Sequence, residues 1–118
     1  MSTEKKQLAP EVKEFEEKAP EMATEFKNIM LEEYEMFCKK QLNYGKSNIM
    51  LGGDINNQDD RKLAIQGIII RMNDKVNRLI TLGLRNEKDN VNESILDNFQ
   101  DICNYAIIAQ MVYREKWK

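Results

Sequence analysis

Between Asp60 and Leu84, apolar side chains recur with the period of an α-helix. At roughly 100° per residue, Ile65, Ile68, Ile69, Met72, Val76, Leu79 and Ile80 fall on one side. Gly67, Arg71, Asp74 and Arg78 fall on the other, with Lys75 at the border. One face therefore reads as a core stripe and the other as a ladder of charge. An ordinary solvated face is one account of that ladder. Against it, the charged side lacks the Glu/Lys mixture of an exposed helix. Two of its members are arginines, whose forked guanidinium suits phosphate or carboxylate. Leu63 and Ile70 flank this side, so it too is expected to find partial cover.

The same periodicity predicts two further long helices and a short one. Residues 1–9 are polar and expected to be loose. Pro10 suits the first turn of a helix over 11–18, and Pro20 breaks it and opens the next. From Glu21 to about Gln41, Met22, Phe26, Ile29, Met30, Phe37 and Cys38 share a face. Asn57 is a good N-cap for the central helix, with Asp59 and Asp60 in its first turn, and Gly83 marks its end. Asn90 with Glu93 resembles a capping box for a last helix over about 92–116. Ile95, Leu96, Phe99, Ile102, Cys103, Ala106, Ile107 and Tyr113 form its apolar side. The segment 43–57 holds three glycines and four asparagines and reads as a long loop, which in a compact domain is usually functional or disordered. Its Ile49-Met50-Leu51 run predicts that it packs. The expected fold is all-α: one domain over 1–118, a small bundle of three main helices plus a short N-terminal one.

A chain of 118 residues buries only a modest core, so oligomerisation is expected to help. Tyr113 and Trp117 add large rings expected to be exposed, and a homo-oligomer, most simply a dimer, follows. The net charge of −2 provides no footprint for duplex nucleic acid. No apolar run approaches a membrane span, and the first residues lack a secretory h-region. The expected location is the cytoplasm. Cys38 and Cys103 read as reduced core thiols. The sequence contains no histidine, which removes the commonest general base and makes a zinc site improbable.

Three constellations can carry chemistry. Glu93, Asp97 and Asp101 recur every four residues, so they stack on one helical face. Together with Glu32 and Glu35 they can ligate Mg²⁺ or Mn²⁺ through oxygen, and such a metal can hold phosphates and activate water. The competing account pairs these carboxylates with Arg71 and Arg78. Gly45-Lys46-Ser47 and Gly52-Gly53 can offer backbone N–H groups and an ammonium to a phosphate, although the spacing is not that of a P-loop. As a plain connector the same stretch carries no chemistry. Tyr44 and Tyr105 are candidates to stack on a base. Asp101 and Asn104 lie three apart on one turn, and Asn104 can both donate and accept towards a ribose or base edge.

The stretches YGKSN, RMNDKVNRL and ESILDNFQDICNYAIIAQ resemble the nucleotide modification associated domain 1 family, small helical proteins mostly borne by phages. The resemblance covers roughly Gln41 to Tyr113. It rests on Tyr44-Gly45, on Arg71, Lys75 and Arg78, and on Asp97 and Asp101 running into Asn104-Tyr105-Ala106. It implies phage or prophage origin and the handling of a nucleotide. The acidic helix is also similar to the second acidic motif of all-α nucleoside triphosphate pyrophosphatases of the MazG kind. Glu32–Glu35 supplies the ExxE those enzymes use, but Glu93 and Asp97 are four apart instead of three. The expectation is a nucleotide-binding protein without turnover and without a cofactor, with sequestration of a nucleotide signal of host defence as one such role. Its site would comprise Tyr44, Gly45, Lys46, Ser47, Arg71, Lys75, Arg78, Asp97, Asp101, Asn104 and Tyr105. The alternatives are an Mg²⁺-dependent nucleotide hydrolase using Glu32, Glu35, Glu93, Asp97 and Asp101, and a helical interaction protein with no small ligand.

Overall fold

The computed structural model describes residues 7–84 and 94–118, and the fold is all-α. Helix α1 spans Pro10–Lys18, α2 Pro20–Tyr44, α3 Ser47–Met50, α4 Gln58–Leu79 and α5 Ile95–Tyr113; a π-helical turn, Ile80–Leu84, extends α4. No strand occurs among the described residues. The chain divides into two compact units, one ending at Met36 and the other running from Phe37 to Lys118.

In the first unit, Pro10 occupies the opening turn of α1, where its missing N–H costs nothing. The Ala19 N–H closes the helix on the Phe15 carbonyl, and Pro20 begins α2. Lys27 of α2 is ion-paired to Glu16 of α1, and Lys18 to Glu14 within α1 at 3.0 Å. Met22, Phe26, Ile29 and Met30, expected to share an apolar face, are all exposed.

The second unit holds the core, in which Ile49, Ala64, Ile68, Ile108, Val112 and Trp117 are buried together. Helices α4 and α5 pack on each other and α3 packs on α4. The buried face of α4 centres on Ala64 and Ile68, with Ile65 and Met72 beside it. Ile69 and Val76, assigned to the stripe by periodicity, are exposed, as are Leu63 and Ile70. On α5 the buried residues are Asn98, Ile108 and Val112. The predicted apolar side of Leu96, Phe99, Cys103 and Ile107 faces outward instead. This helix is apolar around most of its circumference, so periodicity alone could not select the buried face. Cys103 is consequently exposed and Cys38 half-buried; neither is a fully buried core thiol, and neither forms a disulfide among the described residues.

Helix ends follow side-chain chemistry. Asn57 caps α4 by accepting from the Asp60 N–H at 3.0 Å, as its sequence predicts. The cap of α5 is Ser94, in a capping box with Asp97, so the described helix starts at Ile95 and not near residue 92. Asn90 and Glu93 lie outside the described residues. The Ser94 N–H donates to the Asp97 carboxylate at 3.0 Å, and this bond is the main cause holding that carboxyl below its ordinary 3.8, with the Ser94 hydroxyl contact adding to it. Gly83 falls within the π turn and does not end α4 itself.

The segment expected to be a loop contains α3 and is tightly built. Gly45, at φ +70°, ends α2 with its N–H on the Gln41 carbonyl at 3.0 Å. At Gly53 a Cβ would lie 3.0 Å from the Met50 oxygen and 3.2 Å from the Asp60 Cβ, so only glycine fits without a shift. The Asp60 carboxylate accepts from the Asp54 N–H at 2.8 Å, and Arg61 donates to the Ile55 carbonyl at 2.8 Å.

Trp117, expected to be an exposed ring, is 5% exposed. After α5 the chain reverses through Glu115, which adopts φ +60°. The Lys116 N–H reaches the Met111 carbonyl at 2.8 Å and the Glu115 N–H the Val112 carbonyl at 3.0 Å, the two bonds of a Schellman motif. An ion pair of Glu115 with Arg61 at 2.9 Å fixes the turn. The reversal carries the indole into the core, edge-on to Phe37, with Nε1 donating to the Lys46 carbonyl at 3.0 Å. Trp117→Ala should destabilise the protein by about 3–5 kcal/mol, as expected for emptying a buried aromatic site. Trp117→Phe should recover most of that loss but not the hydrogen bond, worth about 1 kcal/mol. Urea denaturation of the three proteins checks both, and a Trp117→Ala midpoint equal to wild type would refute the anchoring role.

Candidate functional site

Four elements of the second unit converge on a cleft of ≈ 420 Å³. The end of α2 contributes Lys40, Gln41 and Tyr44, and α3 contributes Asn48 and Ile49. Arg71 comes from α4. Asp101, Asn104, Tyr105 and Ile108 come from α5, where their spacing places them on one helical stripe. Ile49 and Ile108, both core residues, give the cleft an apolar base. Its remaining lining is the cations Lys40 and Arg71, the carboxylate of Asp101, three amides and two tyrosines, the mixture of apolar wall and polar groups that ligand pockets use.

Arg71 is held from two sides. Its Nη2 donates to the Asn48 carbonyl at 3.1 Å, and its guanidinium carbon lies 6.0 Å from the centre of the Tyr105 ring. It meets no carboxylate among the described residues, so its charge is oriented by neutral partners. Asp101 is engaged differently, with Lys75 at 3.0 Å and Lys40 at 3.6 Å. The pairing of the acidic stripe with arginines, weighed from the sequence, is thus realised at Asp101 with lysines.

Of the residues singled out from sequence, Tyr44, Arg71, Asp101, Asn104 and Tyr105 line this cleft. Lys75 stands behind it through Asp101. Gly45 shapes the turn between α2 and α3. Lys46 and Ser47 line a separate recess of ≈ 360 Å³ with Gly52, Gly53 and Trp117. Arg78 is half-buried two turns further along α4 and does not line the cleft. Asp97 is committed to the α5 capping box, a structural task. Glu32 and Glu35 are exposed on α2 in the other unit, and Glu93 lies outside the described residues. Among the described residues no three acidic, cysteine or histidine side chains group in a way that could hold a metal ion.

Sequence reasoning missed Lys40, Gln41, Asn48, Ile49 and Ile108. The signal for the first two was the length of α2. Ending it near Gln41 hides that Lys40 and Tyr44 are four apart on one continuous helix.

Asp101→Asn keeps the shape and removes the carboxylate charge from between two ammonium groups. It should lower stability by about 1 kcal/mol, below the cost of breaking a fully buried pair because water reaches the cluster. The deficit should shrink in high salt. Urea midpoints at two ionic strengths test this, and identical midpoints would remove the ion pairs from the stability of the cleft.

No helix among the described residues is long and apolar enough to cross a membrane. No curated protein and no solved structure matches the chain. Residues 40–112 match the sequence model of the nucleotide modification associated domain 1 family. The match starts at Lys40 and spans every residue lining the cleft, while α1 and Trp117 lie outside it. It takes in well over half of the chain, and the protein belongs to that family.

Proposed function

We propose that the cleft binds a nucleotide or nucleotide-derived small molecule, without turning it over. The observation that carries this reading is Arg71, a guanidinium positioned by neutral partners at the lining of a partly apolar cleft beside Lys40 and two tyrosines. Arg71 and Lys40 are the phosphate partners. Tyr44, 61% exposed, is free to swing over a base, whereas Tyr105 is committed beneath Arg71. Asn104 and Gln41 supply amides for the sugar or base. The family description, which associates the domain with nucleotide modification, supports the same ligand class. Binding without turnover fits a lining without histidine, cysteine or serine, in which Asp101 would have to leave two ammonium groups before it could ligate a metal. The finer reading is a phage-type protein of the host cytosol that sequesters a nucleotide signal and needs no cofactor.

A nucleotide at one hundred times its dissociation constant should stabilise the folded protein by about 2.7 kcal/mol. Melting curves with ATP, GTP, CTP and UTP, with and without Mg²⁺, should therefore show a rise with at least one of them. Arg71→Ala should abolish that rise. No shift with any of the four would remove the nucleotide reading, and Mg²⁺-dependent release of phosphate or pyrophosphate would replace binding by hydrolysis.

The protein is also proposed to be a homo-oligomer, most simply a dimer. Phe15, Met22, Phe26, Leu96, Phe99 and Tyr113 are among many large apolar side chains left exposed, more than a monomer of this size normally leaves to water. Sedimentation at micromolar concentration should give a species larger than 13.9 kDa. A single species of that mass would reject it.

A further inference from the structure

Asn48 is tied into the cleft through its backbone, not its side chain. Its carbonyl accepts from Arg71, and the residue sits between the lining contributed by α2 and that contributed by α4. Its side-chain Oδ1 is buried and has no hydrogen-bond partner. A buried amide oxygen with no donor is an unfavourable feature of a folded chain, and native structures keep few of them. The other buried orphan amide oxygen belongs to Asn98, whose Nδ2 is satisfied by the Ser94 carbonyl at 2.9 Å; that residue lies outside the cleft and serves the α5 cap. Asn48 has no such structural bond through its side chain among the described residues, and it lines the cavity.

We infer that Asn48 is a specificity-determining residue of the cleft, its Oδ1 accepting a hydrogen bond from an uncharged N–H or O–H donor on the bound ligand. This rests on the nucleotide reading above. Two parts of a nucleotide carry such a donor: the base, through an exocyclic amine or the ring N–H of guanine and uracil, and the sugar, through its hydroxyls. Phosphate oxygens carry none at neutral pH, so the oxygen of Asn48 repels the phosphate and sets the direction in which the ligand lies. Arg71 takes the anionic end, and the neutral donor-bearing end faces residue 48. Selectivity of this kind is steep, because a ligand lacking the donor leaves the protein oxygen orphaned.

The test compares wild type with Asn48→Leu, which keeps the branching at Cγ and replaces both polar atoms of the amide by methyl groups. Without ligand, Asn48→Leu should melt at or above the wild-type temperature, since an orphan is removed. A lower melting temperature would show that the side chain is structurally bonded and would overturn the inference whatever binds. With ligand, ATP, GTP and CTP are each titrated beside the analogue lacking the exocyclic amine, GTP and UTP beside the analogue methylated at the ring N–H, and all four beside the 2′,3′-dideoxy analogue. For the tightest binder, one of these changes should weaken wild type about tenfold, the scale of one hydrogen bond, and leave Asn48→Leu unaffected. Sensitivity to a change on the base assigns the donor to the base, and sensitivity to loss of the hydroxyls assigns it to the sugar. Discrimination that persists unchanged in Asn48→Leu, or none in wild type, overturns the role of Asn48 while nucleotide binding itself stands. Failure of wild type to bind any of the four triphosphates is the distinct outcome that removes both readings.

Discussion

The geometry of the cleft depends on an indole ring outside it. Trp117 fills the core beside Ile49 and Val112, and its Nε1 donates to the Lys46 carbonyl. Lys46 is the residue immediately before α3, so this bond holds the start of that four-residue helix. A helix so short gains little from its own hydrogen bonds and takes its position from what packs around it. Ile49, the buried residue of α3, faces the same core as the indole. The placement of Asn48, and with it the partner of Arg71, therefore rests on a side chain that reaches the core only through the reversal at Glu115. That reversal places a non-glycine residue in the left-handed region, at a cost of about 1 kcal/mol, which the Schellman bonds and the Arg61 pair offset.

The two turns flanking α3 solve different problems. Gly45 lets α2 stop on a left-handed residue directly after Tyr44, so the last turn of α2 presents Lys40, Gln41 and Tyr44 at the cleft. Gly53 lets the backbone pass within contact distance of Asp60, whose carboxylate then holds Asp54 in the approach to α4. The glycines thus act by geometry, and neither lines the cleft. Their richness in this stretch reflects a chain that must turn twice around a buried isoleucine.

Helix positions were legible from periodicity and caps because both signals are local. Asn57 and the Pro10 and Pro20 starts are set by chemistry within one turn. The Ser94 cap of α5 was passed over because Asn90–Glu93, outside the described residues, carries the same signature four residues earlier in the sequence. Which face of α4 or α5 is buried was not legible. Both helices carry apolar residues on more than one side, and burial is decided by the partner: Ala64 and Ile68 pack where small and branched side chains let the helices approach. Arg71, Asp101, Asn104, Tyr44 and Tyr105 could be named as candidates because their chemistry is visible in the residue type. Asn48 could not, since an asparagine among turn residues carries no sign that its carbonyl will orient an arginine of the next helix. The fate of Trp117 was equally hidden, because a ring near a helix end looks the same whether the following turn sends it outward or back.

The electrostatics of the cleft follow from how its charges are already employed. Asp101 lies between the ammonium groups of Lys40 and Lys75, so a single carboxylate answers two cations. Arg71 is answered by a carbonyl and a ring, which orient it without cancelling its charge. An anion entering beside Arg71 and Lys40 finds donors that are already placed, and little side-chain entropy remains to be lost. A divalent cation entering at Asp101 would meet two ammonium groups at close range, where like charges repel strongly at the reduced dielectric of a half-buried site. On the proposed reading, the lining would therefore discriminate by sign before it discriminates by shape. Its apolar base of Ile49 and Ile108 favours a ligand with a flat uncharged part, and the cations beside it favour one with a charged end. A ligand carrying both parts, joined by a short linker, satisfies the whole lining where an inorganic anion or an uncharged ring satisfies only half of it.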